Sequence, residues 1–165
     1  MRIMGAVLLA FGAGLLGRYW VSRLRAREEY LAGVLRLISR IQTELEYSSP
    51  PIDNLLESLY TAENTFEFLA DCRASLRKNL PFPKAWEIAV RGKTSALSKK
   101  DRENLIAFGH GIGTTDIAGQ SRQCGLYVRI FTAAHSDAVQ ERQKHAAYIP
   151  RLTFLLGICG GLLIL

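Results

Sequence analysis

The chain has 165 residues, 48% of them hydrophobic, with 21 Lys and Arg against 15 Asp and Glu and a net charge of +6. That length is enough for one domain of about 130 residues and two membrane spans. The basic surplus does not call for nucleic acid: Arg2, Arg18 and Arg151 flank apolar ends, leaving 18 basic residues against all 15 acidic ones between them.

The first segment, Ile3 to Gly17, carries no charge. Crossing a hydrocarbon core of about 30 Å takes about 20 helical residues. The segment reaches that length if it runs to about Val21, with Tyr19 and Trp20 at headgroup level and Arg18 snorkelling. A cleaved signal peptide has a core of similar length. Against it stand the stop-transfer flank Arg18, Arg23, Arg25 and Arg27 and an apolar helical pattern that runs straight on. Ala6, Ala10, Ala13, Gly14 and Gly17 give this span a small-residue stripe suited to close helix approach.

From Leu24 the apolar residues Leu31, Val34, Leu35, Ile38, Ile41 and Leu45 recur at spacings of three, four and seven, one stripe of a helix. Arg36, Arg40 and Glu44 form a separate ladder on its solvated side. Ser48-Ser49-Pro50-Pro51 breaks the helix, and Pro51 suits the first position of the next, which carries Ile52, Leu55, Leu56 and Leu59. A third helix is expected from about Thr65 to Leu80, with Phe66, Leu69, Ala70, Arg73 and Leu76. Pro81-Phe82-Pro83 interrupts it, and a short fourth helix around Ala85 to Val90 stops at Gly92.

Ser98-Lys99-Lys100-Asp101 reads as a capping box opening a fifth helix, which carries Leu105, Ile106 and Phe108 and ends in Gly109-His110-Gly111. Thr115 or Asp116 caps the last helix, which runs about 34 residues, roughly 50 Å, to about Ile149. Ile117, Cys124, Val128, Phe131 and Ala138 share one side of it, and Pro150 predicts a kink or break. Leu152 to Leu165 is uncharged, about 21 Å long as a helix, and marked by Gly157-x-x-x-Gly161. No stretch alternates like a strand. The expected fold is all-α: a compact helical bundle at 22–150, between two long helices continuous with transmembrane helices at 1–21 and 151–165. Arg and Lys concentrate on the inner flanks (Arg18, Arg23, Arg25, Arg27, Arg142, Lys144 and Arg151), which places the domain in the cytoplasm and both termini outside.

Catalytic chemistry finds no foothold. Cys72, Cys124 and Cys159 have no CxxC or metal-ligand spacing and read as reduced core residues. His110, His135 and His145 form no HxxH or HExxH, and His135 falls on the apolar stripe as a partly buried histidine. Gly109-x-Gly111-x-Gly113 follows a helix and lacks a Lys, so it reads as a helix C-terminus with left-handed backbone rather than a phosphate loop. Glu44 and Glu46, two apart, point to different sides. Asp101 and Asp116 stand at helix starts, where a carboxylate caps free N–H groups. Arg77-Lys78 and Lys99-Lys100 are short basic pairs of a solvated surface, not a nucleic-acid stripe. No catalytic, cofactor-binding or metal-binding residue, no cofactor and no small-molecule substrate is expected.

Several tracts carry a family resemblance. Arg36-x(3)-Arg40-Ile-Gln-Thr-Glu44-Leu-Glu46-Tyr47 followed by Pro51-Ile-x-x-Leu55, and then Ala85-Trp86-Glu87, resemble motifs of stage III sporulation protein AB. Leu97-x(3)-Asp101-x(3)-Leu105-x-x-Phe108-Gly109-x(3)-Gly113-x-Thr115-Asp116-x(3)-Gln120 is the most specific match, and Leu156-Gly157-x-x-Gly160-Gly161 also fits. The resemblance covers essentially the whole chain. It departs at Pro150-Arg151, where the family more usually enters the span through a Lys-x-Tyr-like helix, and in the shortness of the last span.

The resemblance implies a mother-cell membrane protein of endospore formers, in the assembly linking mother cell and forespore. Its soluble domain would be similar to that of type II secretion F-type platform proteins. Implied partners are a companion secretion-type ATPase and other channel-complex membrane proteins. The expected function is a non-enzymatic platform in the membrane. The alternatives are an F-type platform of another secretion or pilus system, or a membrane-tethered regulatory enzyme. Glu44, Glu46, Asp101, Asp116 and Gln120 stand as a docking surface or, alternatively, as caps and intradomain pairs.

Overall fold

A computed structural model of the chain describes the backbone of 2–47, 51–62 and 66–162, and side chains at 19, 21–47, 51–52, 54–61 and 66–145. Six α-helices and no strand occur among the described residues: α1 (Arg2–Tyr47), α2 (Ile52–Ala62), α3 (Glu67–Leu76), α4 (Phe82–Lys93), α5 (Lys99–Gly111) and α6 (Ile117–Leu162). The all-α expectation therefore holds. The chain divides into two compact units, Glu29–His135 and Met1–Glu28 with Ser136–Leu165.

Apart from Tyr19 and Val21, the expected membrane spans lie in segments whose side chains fall outside the described residues. Among the described residues, no helix is long and apolar enough to cross a membrane. In the unit that contains those ends, two ion pairs join the described parts of α1 and α6: Arg27 to Glu141 at 2.9 Å, and Arg142 to Glu28. Ala138 is fully buried there. Of the kink or break expected at Pro150, the break does not occur: α6 runs on to Leu162. A lone proline removes one N–H donor, and the hydrogen bonds on either side carry the helix past it.

The unit of Glu29–His135 holds the main core. In α1 the stripe Leu31, Val34, Ile38, Ile41 and Leu45 is buried as its spacing predicts, and Leu37 widens it. Each such side chain gains about 1.5–3 kcal/mol on burial, which outweighs the side-chain entropy lost. Leu35 sits only half-buried at the edge of the stripe. Gly33 lets Phe66 press onto α1, because a Cβ there would meet the ring at 2.7 Å. Phe66 itself lies just before α3 in extended backbone and meets Tyr30 edge-on at 5.1 Å.

Three helix boundaries differ from expectation. Pro51 precedes α2 rather than opening it, and its carbonyl accepts from Leu55 N at 3.0 Å. The third helix stops at Leu76, four residues early, where Arg77 to Asn79 form a turn with Asn79 at φ 60°. Asn tolerates this left-handed backbone better than other non-glycine residues. α4 starts within Pro81-Phe82-Pro83: Pro81 is its cap and Pro83 falls in the first turn, where a missing N–H costs no hydrogen bond.

α4 packs against α3 on one side and α5 on the other. At this centre Trp86 is fully buried, with Phe68 at 5.2 Å, Phe82 at 5.6 Å and Phe108 at 6.3 Å between ring centroids. The aromatic chain continues from Phe108 through Tyr127 to Phe131.

Candidate partner-binding surface

The capping box predicted at Ser98 is present. Ser98 Oγ accepts from Asp101 N at 3.1 Å, and Asp101 Oδ2 accepts from Ser98 N at 3.3 Å. Asp101 is 2% exposed. Its carboxylate is turned into the start of α5 and presents no face to a partner.

Glu44 and Glu46 go to different neighbours, as two residues apart on a helix must. Glu44, half-buried, accepts from Ser58 Oγ of α2 at 3.4 Å. Glu46 is exposed and turns to α6, accepting from Ser121 Oγ and, at 3.0 Å, from Gln42 Nε2. Gln42 Nε2 also reaches Ser121 Oγ at 3.2 Å, so the three side chains close a polar joint between the two helices. The hydrogen bond from Ser121, then that from Gln42, holds the Glu46 carboxyl below its ordinary range.

Asp116 caps α6, accepting from Gly119 N at 2.9 Å. Gln120 ties down the loop before it: its Oε1 accepts from Gly113 N at 3.2 Å and its Nε2 donates to Thr115 O at 2.9 Å. Of Gly109, Gly111 and Gly113, only Gly113 has left-handed backbone, at φ 78°. The other two serve close packing. A Cβ on Gly109 would collide with the Trp86 indole, and one on Gly111 with the Gln123 amide. That amide donates to Phe108 O at 3.3 Å.

Glu46, Asp116 and Gln120 thus meet at one end of this unit, formed by the end of α1, the α5–α6 loop and the start of α6. Glu44 lies one step away, toward α2. Asp101 lies at the other end of α5. Two large exposed side chains that sequence reasoning left out of the site stand on the same elements. Tyr47 is 93% exposed, and Ile117, expected on the buried stripe, is 50% exposed. Tyr47 follows the last buried stripe residue, Leu45, by two positions, or about 200° around the helix, so its outward aim was readable. Ile117 is exposed because it opens α6 at the tip of the unit, before α6 settles onto the core at Cys124. A small pocket of about 80 Å³ opens here, lined by Leu45, Ile52, Leu55, Ile112, Gly113, Ile117 and Gln120. An apolar recess with an exposed aliphatic side chain and a polar amide in its lining is a composition that protein-binding patches use.

Other charged residues pair on the surface. Arg91 bridges Glu87 at 3.0 Å and Glu103 at 2.9 Å, and His110 stands 3.4 Å from Glu87. The hydrogen bond from Arg91 is the main cause of a lowered Glu87 carboxyl. Lys93 pairs with Glu67 at 3.2 Å, which raises its ammonium above the ordinary lysine value. His135 is half-buried, as its place on the stripe predicts. Lys99, Lys100, Arg77 and Lys78 are all exposed. Cys72 and Cys124 are free and buried, while Cys159 lies outside the described side chains. Among the described residues, no group of three or more His, Cys, Asp or Glu is placed to hold a metal ion.

A family model described as stage III sporulation protein AB matches residues 2–165. No match is found among curated proteins or among solved structures.

Proposed function

The chain belongs to the stage III sporulation protein AB family, and from that premise we propose that it is a membrane platform of the sporulation channel complex between mother cell and forespore. In this reading both apolar ends span the mother-cell membrane, the helical domain lies in the cytoplasm and both termini lie outside. The domain holds a companion secretion-type ATPase and works as a scaffold rather than an enzyme. Other membrane proteins of the complex assemble beside it.

The observation that carries the docking reading is the small apolar pocket lined by Ile117, itself half exposed, and Gln120, at the end of the unit where α1 also exposes Glu46 and Tyr47. An apolar recess takes an anchor side chain of a partner, a large exposed aromatic on the same end of the unit adds contact area, and the exposed carboxylates Glu46 and Asp116 nearby steer a basic partner surface. Asp101 is left out of this surface because it is buried.

The test is capture of the companion ATPase by the full chain in neutral detergent. Tyr47→Ala with Ile117→Asp is expected to weaken capture at least tenfold with the helical circular dichroism unchanged. Undiminished capture by that folded variant would remove the ATPase from this surface. Labelling of single cysteines at the two termini from the cytoplasmic side would overturn the orientation.

A further inference from the structure

α3 segregates its charges. Glu67 pairs with Lys93 of α4, and Asp71 adds to the field that raises the Lys93 ammonium. The cations Arg73, Arg77 and Lys78 instead line a groove of about 450 Å³ with Tyr60, Ala70 and Ala74. The two alanines keep its floor open, and Tyr60 gives it an aromatic wall.

Arg73 is already positioned in this groove. Its Nη2 lies 2.6 Å from Glu57 Oε1, and its guanidinium stands over the Tyr60 ring at 5.2 Å. A guanidinium has five donors, so one bond to Glu57 leaves others for a ligand. Arg77 and Lys78 have no acidic partner among the described residues. Their turn is ordered: Asn79 N donates to Leu76 O at 2.8 Å and Leu80 N to Ser75 O at 3.3 Å. Cations near a helix C-terminus complement its dipole. That effect accounts for their charge but not for the open-floored groove they border.

We propose that this groove is a docking site for an acidic peptide segment of a partner protein, whose carboxylates pair with Arg73, Arg77 and Lys78. Among the described residues the lining carries three cations and no carboxylate, with Glu57 held against Arg73 outside it, and Arg with carboxylate forms the paired hydrogen bonds that favour such a ligand. The volume takes a few residues of a chain. The concavity favours a peptide over a bilayer, which is flat and meets protruding basic side chains. The site is separate from the Tyr47–Ile117 patch and does not rest on the ATPase reading.

The experiment uses the full chain in neutral detergent and a fluorescein-labelled peptide of alternating Glu and Leu, followed by fluorescence anisotropy at low salt. Saturable binding is expected. Arg77→Glu with Lys78→Glu should weaken it at least tenfold. Ala74→Phe, which fills the groove without changing charge, should weaken it at least fivefold. Lys99→Glu with Lys100→Glu, an equal charge change outside the groove, should leave it within twofold. Absent binding, an equal loss in the Lys99 and Lys100 variant, or no loss in Ala74→Phe would overturn the proposal. Displacement of the peptide by short-chain phosphatidylserine at lower concentration than by unlabelled peptide would also overturn it, in favour of a lipid headgroup.

Discussion

The indole N–H of Trp86 donates to the main-chain carbonyl of Leu105 at 2.8 Å, in the fully buried centre of the α3–α4–α5 layer. A buried indole N–H without a partner would cost about 1–3 kcal/mol, and this bond removes that cost. It also fixes the ring's direction. Pinned to α5 at Leu105, the indole lies over Gly109, one turn further on, where no side chain fits.

Gly109→Ala therefore has two opposed effects. Alanine in a helix interior is worth about 1 kcal/mol over glycine. The new Cβ collides with a ring that has neighbours on every side, and overpacking of this kind costs about 1–3 kcal/mol. With the new Cβ far inside van der Waals contact of the indole the cost falls in the upper part of that range, about 2–3 kcal/mol, so a net destabilisation of roughly 1–2 kcal/mol is expected, read as a lower urea midpoint for loss of the near-ultraviolet signal of Trp86. A variant as stable as the parent would mean that the indole can retreat, and that the bond to Leu105 does not hold it.

What the sequence could and could not show follows the range of each interaction. The Ser98–Asp101 box was legible because it is closed within four residues. The α1 stripe was legible because a buried face repeats with the helix period. Trp86 stands out in the sequence only within a family motif, because its packing on Phe68, Phe108 and Gly109 joins three helices and leaves no periodic trace. Gly109 and Gly111 read as turn glycines, whereas each makes room for a side chain distant in sequence. The early stop of α3 turned on the backbone of one asparagine, Asn79. At the candidate surface, Glu46, Asp116 and Gln120 are legible in the sequence, but Ser121 and Gln42, the partners that hold Glu46, are not. Their meeting depends on how α1 and α6 are brought side by side in this unit.

The Glu46 joint has a pH signature. Hydrogen bonds from Ser121 and Gln42 lower the Glu46 carboxyl from its ordinary 4.5. A group depressed in the folded state contributes stability that is fully present above the unfolded value, near 4.5, and is lost as pH falls through the lower folded value. The joint should hold at neutral pH and open only on acidification below that range. Ser121→Ala removes the largest contribution and should move the Glu46 carboxyl back up toward 4.5, read by carbon-detected NMR titration. An unchanged titration would show that Ser121 does not set it.

Cys72 and Cys124 should be silent as thiols while the chain is folded. Burial pushes the Cys72 thiol up to about 12 and the Cys124 thiol up to about 11. At pH 8 the reactive thiolate is then on the order of one molecule in ten thousand for the first and one in a thousand for the second, while a free cysteine is about a quarter ionised. Accessibility adds to this, since Cys72 is fully buried and Cys124 is 2% exposed. In a Cys159→Ser background, Ellman's reagent at pH 8 should modify both at least a hundredfold more slowly than in guanidinium. Cys72 lies on α3 against the core and Cys124 faces inward from α6, so each reports the opening of a different helix. If Cys124 reacts first and Cys72 follows only at global unfolding, α6 leaves the core before α3. Native-state reaction of either thiol at the rate of a free cysteine would contradict the burial on which the core is built.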